Sequence, residues 1–256
     1  MIVSVLGHSA GVGSMAAISC LRIDTSTLLD CGSGVETLQE NSLLAVERIL
    51  LTHSHFDHCG GLPALLTCHA EHGGRGITVH TQQETIDELK AGLLAEPANQ
   101  HLLGALDPQG QPLLRFEAIE VGDAIPLSDG MATALPAQHI VPAVGWVIEG
   151  PWRALAYTGD SALCPAFWHW AANVPSLSDI ICTITSSNTE LDHAKAEGLM
   201  TPGALLSMLE VIPPGVQIWI NNLDGAEREQ ALAEMKLIAP PNLNIAQLQL
   251  SSVIDL

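Results

Sequence analysis

Three histidines and an aspartate lie within six residues of this chain, in the stretch LTHSHFDHCGG (residues 51–61). His53 and His55 are two residues apart at the end of an apolar run, so in an extended strand their side chains project to the same side. Asp57 and His58 follow, where two glycines indicate a turn. Imidazole suits zinc, iron or copper, and a carboxylate widens the choice toward manganese. The stretch therefore predicts a metal site at the end of a strand.

The elements that must position this cluster alternate between strand and helix patterns. Strand patterns fit residues 2–7, 17–24, 26–32, 48–54 and 76–81, and in the second half residues 131–137, 145–150, 153–160, 179–184 and 216–223. Helical patterns fit residues 61–72, 83–96, 165–174, 201–211 and 226–238, and the Gly/Pro/Gln-rich segment 97–112 is predicted to be a loop. The two halves are variations on one pattern. Two sheets packed face to face, with helices outside, would accommodate this order.

The composition is that of a compact globular protein. Of the 256 residues, 47% are hydrophobic and only 14% are charged. No apolar run approaches the roughly 20 residues that cross a bilayer, so no membrane partner is predicted. The apolar N-terminus lacks a basic segment and is interpreted as a first strand rather than a signal peptide. Six cysteines without CxxC pairs indicate free thiols and a cytoplasmic location.

The net charge of the chain limits the kinds of molecule that it can bind. Nine basic residues against 28 acidic ones give a net charge of −19. Binding of a long nucleic acid depends on Lys and Arg that neutralise phosphates, so the predicted partner is a small molecule and not a nucleic-acid polymer. A small anion such as a phosphodiester stays compatible, because a bound metal dominates the charge around it. A homodimer is compatible with the composition as well.

The histidine cluster resembles the H-x-H-x-D-H motif of the metallo-β-lactamase superfamily. The stretches VLGHSAGVG (5–13) and LLDCGSGVETL (28–38) are similar to the opening strands and loops of its RNase Z and cyclic-nucleotide phosphodiesterase branch. The stretches AQHIVPAVGWVI (137–148) and LAYTGDSALCPAFW (155–168) resemble the class II/III 3′,5′-cyclic-nucleotide phosphodiesterases. The resemblance covers essentially the whole chain. It implies an α/β fold, a four-layer αββα metallo-β-lactamase-like sandwich, as a single domain over residues 1–256.

The resemblance also implies the ligands of one or two divalent metal ions. Zinc is expected, with manganese or iron as alternatives. The first ion would be bound by His53, His55 and His139, with Asp160 shared between both ions. The second would be bound by Asp57, His58 and Asp160, together with a final histidine whose place is taken here by Asn222. Since asparagine coordinates only through a neutral oxygen, the second site is expected to bind weakly, to prefer a harder ion or to stay empty.

Two further positions depart from the family pattern. Leu199, in EGLMTP, stands where the family has a histidine that helps to protonate the leaving group. The acidic residue expected on the preceding strand is also absent, and Thr183 and its neighbours stand there instead. His193, six residues before Leu199, could substitute as the acid if its loop folds back, and the alternative is that it is simply a surface residue. Loss of one general acid typically costs about 10²–10⁴-fold in rate, so weak activity is expected to remain.

The metal site implies a hydrolase. A metal-bound water is deprotonated near neutral pH, since its pKa falls from ~15.7 to roughly 7, and Asp57 would orient it as the catalytic residue and accept its proton. The predicted function is a metal-dependent phosphodiesterase acting on cyclic nucleotides or related phosphodiesters. Two alternatives stay open: a catalytically weakened metal-binding protein with a binding or regulatory role, and a hydrolase of a thioester or lactone. A tRNA endonuclease is disfavoured by the charge.

Overall fold

A computed structural model describes residues 1–8, 17–221, 225–239 and 244–256. Within these ranges, fourteen strands form two seven-stranded sheets. The strands are β1 (Ile2–Gly7), β2 (Cys20–Ile23), β3 (Thr27–Leu29), β4 (Arg48–Leu50), β5 (Ile77–Thr81), β6 (Leu114–Ala118), β7 (Ala124–Leu127), β8 (Gly130–Pro136), β9 (Val144–Glu149), β10 (Ala154–Tyr157), β11 (Leu177–Thr183), β12 (Gln217–Asn221), β13 (Asn244–Gln247) and β14 (Val253–Asp255).

Both sheets are mixed and follow the same plan. The first has the order β14-β1-β2-β3-β4-β5-β6 and the second the order β13-β12-β11-β10-β9-β8-β7. In the first sheet the pairs from β14 to β3 are antiparallel and those from β3 to β6 are parallel. In the second the pairs from β7 to β10 are antiparallel and those from β10 to β13 are parallel. The carboxyl ends of parallel strands meet at one edge of a sheet, where α/β proteins commonly bind ligands.

The helices connect the strands and cover the outer faces of the sheets. They are α1 (Glu40–Leu44), α2 (Phe56–Cys59), α3 (Leu62–His72), α4 (Gln83–Ala91), α5 (Gln100–Leu103), α6 (Pro165–Ala172), α7 (Leu191–Ala196), α8 (Pro202–Leu206) and α9 (Gly225–Ile238). Pro63 lies in the first turn of α3, as predicted, where the N–H that proline lacks would have no partner within the helix. The helix ends at Gly73, whose backbone is in the left-handed conformation. In the described part of the chain, no helix has the length and apolarity needed to cross a membrane.

Three apolar clusters account for the layers. One lies between the sheets and includes Leu50, Trp146 and Tyr157. A second packs α3 and α4 against the first sheet through residues such as Leu65 and Leu89. A third packs α6, α8 and α9 against the second sheet. The order helix, sheet, sheet, helix agrees with the predicted α/β sandwich of four layers.

The sequence patterns missed the four edge strands β6, β7, β13 and β14 and the short helices α1 and α7. The helix predicted over 83–96 ends at Ala91. Strand β6 (LRFEA) exposes Arg115, Glu117 and Ala118, so its charges obscured the strand pattern. Strand β14 pairs with β1 from the other end of the chain, which no local pattern reveals. The helix predicted over 201–211 ends at Leu206, and the segment 97–112 contains the short α5 rather than loop alone.

Candidate metal centre

The histidine cluster lies where β4 leads into α2. Strand β4 ends at Leu50, and α2 begins at Phe56 with His55 as its N-cap. The predicted Asp160 arrives from the other sheet, because β10 ends at Tyr157 and the chain then turns through Gly159. Gly159 has a φ of +57°, and a Cβ at this position would lie 2.9 Å from the Thr52 side chain. Glycine therefore allows the Asp160 turn to approach the segment that carries His53.

His139 reaches the cluster from the loop that follows β8. Its Nδ1–H donates to the carbonyl oxygen of Gly198 over 2.9 Å, and because a carbonyl only accepts, Nε2 is left without a proton. That Nε2 lies 3.2 Å from Nδ1 of His55. Gly198 has a φ of +61°, and a Cβ there would lie 3.0 Å from the Cα of His139. The backbone around Gly198 therefore fixes the His139 ring.

The predicted ligand residues form two overlapping groups. In each group the potential ligand atoms all lie within 4.8 Å of one another. The first group is His53, His55, His139 and Asp160, and the second is Asp57, His58 and Asp160. Nε2 of His58 lies 3.5 Å from Asp57 Oδ2 and 3.5 Å from Asp160 Oδ1. The structure thus brings six of the seven predicted residues together, while Asn222 lies outside the described residues.

The donor atoms of these groups fit divalent metal ions. Nε2 of His53, Nε2 of His58 and Oδ1 of Asp160 are all buried, and none has a hydrogen-bond partner in the part of the chain that the structure describes. Buried polar atoms nearly always have a partner, and each of these three belongs to a predicted ligand group, so they fit the binding of positively charged ions. The 3.2 Å between the nearest nitrogens of His55 and His139 matches the roughly 3.3 Å that a tetrahedral zinc with ~2.0–2.1 Å bonds requires.

Asp30 is a functional residue that the sequence analysis did not single out. Its buried carboxylate accepts a hydrogen bond from His58 Nδ1 over 2.6 Å and one from the Tyr157 hydroxyl over 3.0 Å. It also accepts bonds from the backbone N–H and the hydroxyl of Thr52, at 2.8 and 2.9 Å. The Thr52 oxygen lies 2.9 Å from His53 Nδ1 and accepts from it. One carboxylate therefore orients a histidine in each ligand group and leaves both Nε2 atoms free.

The electrostatics follow from burial and from these neighbours. Burial lowers the pKa of His53 well below its usual range, which keeps the ring neutral. Burial alone would also lower the pKa of His58, but the carboxylates of Asp30 and Asp160 raise it well above the usual range. For Asp160, burial is outweighed by His58, and the pKa of this carboxyl is lowered. Burial raises the pKa of Asp57 despite the nearby His58.

Leu199 and Thr183, two of the positions that depart from the family pattern, lie in the described part of the chain. Leu199 is half-buried and directly follows Gly198, whose carbonyl binds His139. Thr183 ends β11, and its buried hydroxyl oxygen has no hydrogen-bond partner. His193 lies exposed on α7. An aliphatic residue therefore directly follows the glycine that binds His139, at the position where the resemblance implies a proton donor.

Two cavities differ in their position relative to the predicted metal ligands. One of about 450 Å³ lies beside His139, between the start of α4 and the loop of residues 137–143. Another of about 680 Å³ is lined by Arg48, Arg75 and Arg115, and no member of the two ligand groups lines it. Of these two cavities in the described part of the chain, the smaller one has a predicted ligand residue, His139, in its wall.

Comparison with protein families supports the motif assignment. The family model described as "Beta-lactamase superfamily domain" matches residues 25–220. A ribonuclease Z from Kineococcus radiotolerans is 36% identical over 136 residues, which cover 51% of this chain and 41% of that protein. This chain therefore spans less than half of the relative's length.

Solved structures with low sequence identity share the fold. Unliganded yeast PDE1 superposes with a TM-score of 0.82 at 13% identity, covering 100% of this chain and 99% of that one. The metallo-beta-lactamase fold protein YhfI from Bacillus subtilis gives a TM-score of 0.77 at 15% identity, covering 99% and 98% of the two chains. These matches agree with the predicted α/β sandwich.

Proposed function

Since the chain belongs to the beta-lactamase superfamily, we propose that it is a metal-dependent hydrolase of small phosphodiesters, cyclic nucleotides among them. One observation carries the proposal. Two groups of ligand atoms share Asp160, and the buried atoms His53 Nε2, His58 Nε2 and Asp160 Oδ1 have no hydrogen-bond partner among the described residues. A stable fold does not leave three such atoms unpaired unless something else satisfies them.

His53, His55, His139 and Asp160 would hold one ion, and Asp57, His58 and Asp160 would hold a second. Nitrogen-rich ligands favour zinc at the first position, and the more oxygen-rich second position also suits manganese or iron. When bound, such ions lower the pKa of coordinated water and stabilise negative charge on a phosphoryl oxygen. Asn222 would supply at most a neutral oxygen, so we expect the second position to bind more weakly.

Asp57 is the residue best placed to handle the proton of the attacking water. Its carboxylate Oδ2 lies 3.5 Å from His58 Nε2, and the side chain keeps 24% of its exposure. Partial burial raises the pKa of this carboxyl, which makes it a better proton acceptor than a fully solvated aspartate. Asp57 thus orients the water and takes its proton at Oδ2.

The leaving group is expected to depart with little help from the protein. Leu199 directly follows Gly198, whose carbonyl binds His139, and a leucine cannot transfer a proton. Substrates whose leaving group is stable as an anion should therefore react faster than those that release an alkoxide. This property separates a weakened phosphodiesterase from an efficient one.

Small phosphodiesters are favoured over polymers because the chain carries a net charge of −19 and only nine basic residues. RNA is the second candidate substrate, since a relative with 36% identity over 136 residues is a ribonuclease Z. A single phosphodiester needs only the local field of the metal centre, whereas a polynucleotide also needs cationic contacts along its backbone. The six free cysteines favour a cytoplasmic location, which we include in the proposal.

Hydrolysis of bis-(p-nitrophenyl) phosphate, cyclic AMP and a structured RNA by zinc-loaded protein tests the proposal. We expect slow release of p-nitrophenolate, much slower cleavage of cyclic AMP and no cleavage of the RNA. Asp57→Asn should abolish release, whereas Asp129→Asn, at an exposed loop position, should not. Efficient RNA cleavage would move the second candidate to first place. Hydrolysis of a thioester or lactone by a protein that cleaves none of the phosphodiesters would contradict the proposal.

A further inference from the structure

A second cavity lies away from the metal centre, at the amino ends of three neighbouring strands. Its volume of about 680 Å³ is within the range of roughly 300–1,000 Å³ that small-molecule sites occupy. It is lined by Arg48 at the start of β4, by Arg75 shortly before β5 and by Arg115 in β6. The cluster that begins at His53 follows the carboxyl end of β4, and no member of the two ligand groups lines this cavity. The arginine cavity, named after these three residues, is thus separate from the candidate metal centre.

The cavity exposes a polar part of the face that the first sheet turns toward the second. The strand neighbours of Thr78 and Arg115 pack in the apolar cluster beneath α3 and α4. Because successive side chains of a strand point to opposite faces, Thr78 and Arg115 point toward the second sheet. Arg48 pairs with Thr78 across β4 and β5, and Thr78 pairs with Arg115 across β5 and β6. Two arginines therefore lie on one face of the sheet, on either side of Thr78.

Hydrogen bonds to neutral groups hold these two guanidinium groups in place. Arg115 donates to the carbonyl oxygens of Pro112 and Gly76, each over 3.1 Å. Arg48 donates from Nη1 to the carbonyl oxygen of Pro126 in β7 over 2.8 Å. A guanidinium group has more N–H donors than these bonds use, so both side chains keep donors for a ligand.

The charges of the three arginines are not neutralised by direct ion pairs. Elsewhere in the chain, Arg153 pairs with Asp179 at 2.9 Å. The arginines of the cavity make no such pair with a carboxylate within the described part of the chain, and there the Arg75 side chain makes no hydrogen bond either. Since the chain has 28 acidic residues and only nine basic ones, three unpaired arginines in one cavity are unexpected. Their guanidinium groups are therefore available to a bound anion.

Three acidic residues also line the cavity, and two of them have other partners. Asp107 accepts hydrogen bonds from two backbone N–H groups of its own loop, at 2.9 and 2.8 Å. Glu117 Oε2 lies 3.3 Å from His80 Nδ1, and Glu47 is exposed to solvent. Because three acids balance three arginines, the lining has no net positive field that could attract an anion. An anion would have to be held by direct hydrogen bonds from the guanidinium groups.

We propose that the arginine cavity binds a phosphate group, either as inorganic phosphate or as the monoester of a small molecule. A guanidinium group binds phosphate through two parallel N–H bonds. The donors come from three segments of the chain, which suits the four oxygens of a tetrahedral anion better than the two oxygens of a planar carboxylate. This site is separate from the metal centre and does not depend on the proposed hydrolase function.

Isothermal titration calorimetry on the zinc-loaded protein measures this binding directly. The probes are inorganic phosphate, the monoester glycerol 2-phosphate and the dicarboxylate succinate. We expect at least one phosphate probe to bind about tenfold or more tightly than succinate. Arg48→Gln and Arg75→Gln should each weaken phosphate binding about tenfold, because each removes charge-assisted hydrogen bonds. Since the Arg75 side chain makes no hydrogen bond to the described part of the chain, its replacement leaves the fold intact.

Two further variants serve as controls. Lys90→Gln removes one positive charge from the other side of β6, because Lys90 Nζ lies 5.2 Å from the centre of the Phe116 ring and Phe116 packs on the helix side. It should leave phosphate affinity unchanged. Asp160→Ala distinguishes phosphate held by metal ions, since Asp160 belongs to both ligand groups. It should retain the binding that depends on the arginines.

Tighter binding of glycerol 2-phosphate would assign the cavity to phosphate monoesters, and tighter binding of inorganic phosphate would assign it to the free anion. Both results support the proposal. Phosphate binding that Asp160→Ala abolishes and both arginine variants retain would place the phosphate at the metal centre and overturn the arginine site. Equal affinity for succinate, equal weakening by Lys90→Gln or no binding of any probe would overturn it as well.

Discussion

His58 donates its Nδ1–H to Oδ2 of Asp30 over 2.6 Å, and neither side chain is exposed to solvent. Because a carboxylate can only accept, Nδ1 of His58 carries a proton, and in the neutral ring Nε2 is then the atom that can bind a metal ion. The same carboxylate reaches His53 through the Thr52 hydroxyl. A residue outside both ligand groups therefore orients ligands in each of them.

Asp30→Asn is expected to weaken metal binding and to destabilise the fold. An amide can present its NH₂ group to His58 and cannot accept all the bonds that Asp30 accepts now. Loss of such an outer partner typically lowers metal affinity by about 10–100-fold. Breaking a buried charged pair costs about 3–5 kcal/mol of unfolding free energy. Competition with a chromophoric chelator measures the first effect and urea unfolding the second.

Asp129→Asn is the control for that experiment, since Asp129 is exposed in a turn between β7 and β8. It should change neither quantity. Metal affinity and stability that are both unaltered in Asp30→Asn would show that the Asp30 bonds do not orient the ligands.

The histidine cluster could be predicted from the sequence, whereas the role of Asp30 could not. His53, His55, Asp57 and His58 are adjacent along the chain, so their types and spacing predicted a common site. Asp30 also ends a strand pattern before a glycine, but its contacts come from strands on both sheets, as Tyr157 shows. A long-range contact of that kind has no local signature. The acid at the end of a buried strand was the only sign available.

The fold shows the same division between local and long-range information. Strand β1 and helix α3 follow their sequence patterns closely, because apolar periodicity and Pro63 specify them locally. The pairing of β14 with β1 depends on the docking of the two chain ends, as Ile2 and Asp255 face each other. The single domain over residues 1–256 stays a prediction, and so does the homodimer.

Restoring the family histidines should restore function selectively. Leu199→His would supply a proton donor beside His139, and Asn222→His an imidazole ligand. We expect the double variant to gain more on cyclic AMP than on bis-(p-nitrophenyl) phosphate, because only a ribose oxygen needs protonation as it leaves. The two changes act on one site, so their effects should not simply add.

Steady-state rates on both substrates measure this selectivity, and Leu191→His, at an exposed position on α7, is the control. A double variant that binds two ions and still gains no phosphodiesterase activity would mean that the site serves another ester. The thioester and lactone alternatives would then lead.

Metal titration of the apoprotein should show unequal sites. The group with three histidines keeps all its expected ligands, whereas the Asp57 and His58 group depends on Asn222. We expect one tight and one weak binding step, or a single step, in calorimetric titration with zinc. Two equally tight steps would contradict this expectation and would indicate that an additional residue completes the second group.

The cysteines should differ sharply in reactivity. Cys20, Cys31, Cys59 and Cys182 are buried, and burial raises the pKa of Cys59 and Cys182 to about 12. The reactive thiolate of a raised-pKa cysteine forms only at high pH, so at pH 8 these thiols stay protonated and unreactive. Titration with Ellman's reagent should modify Cys68 and Cys164 in the native protein and all six after unfolding. Rapid native modification of Cys59 would contradict the packing around α2.

The metal content of protein purified without chelator is the most direct test of the proposed metal centre. Plasma emission spectroscopy should find at least one zinc, manganese or iron ion per chain in the unaltered protein after incubation with that metal. The double variant His53→Ala/His139→Ala should lose the more tightly bound ion, and Asp160→Ala should lower occupancy of both positions, because Asp160 belongs to both ligand groups. His193→Ala, at an exposed helix position, should retain the full content. An unaltered protein that holds no divalent ion, or a double variant that holds as much as the unaltered protein, would contradict the metal centre.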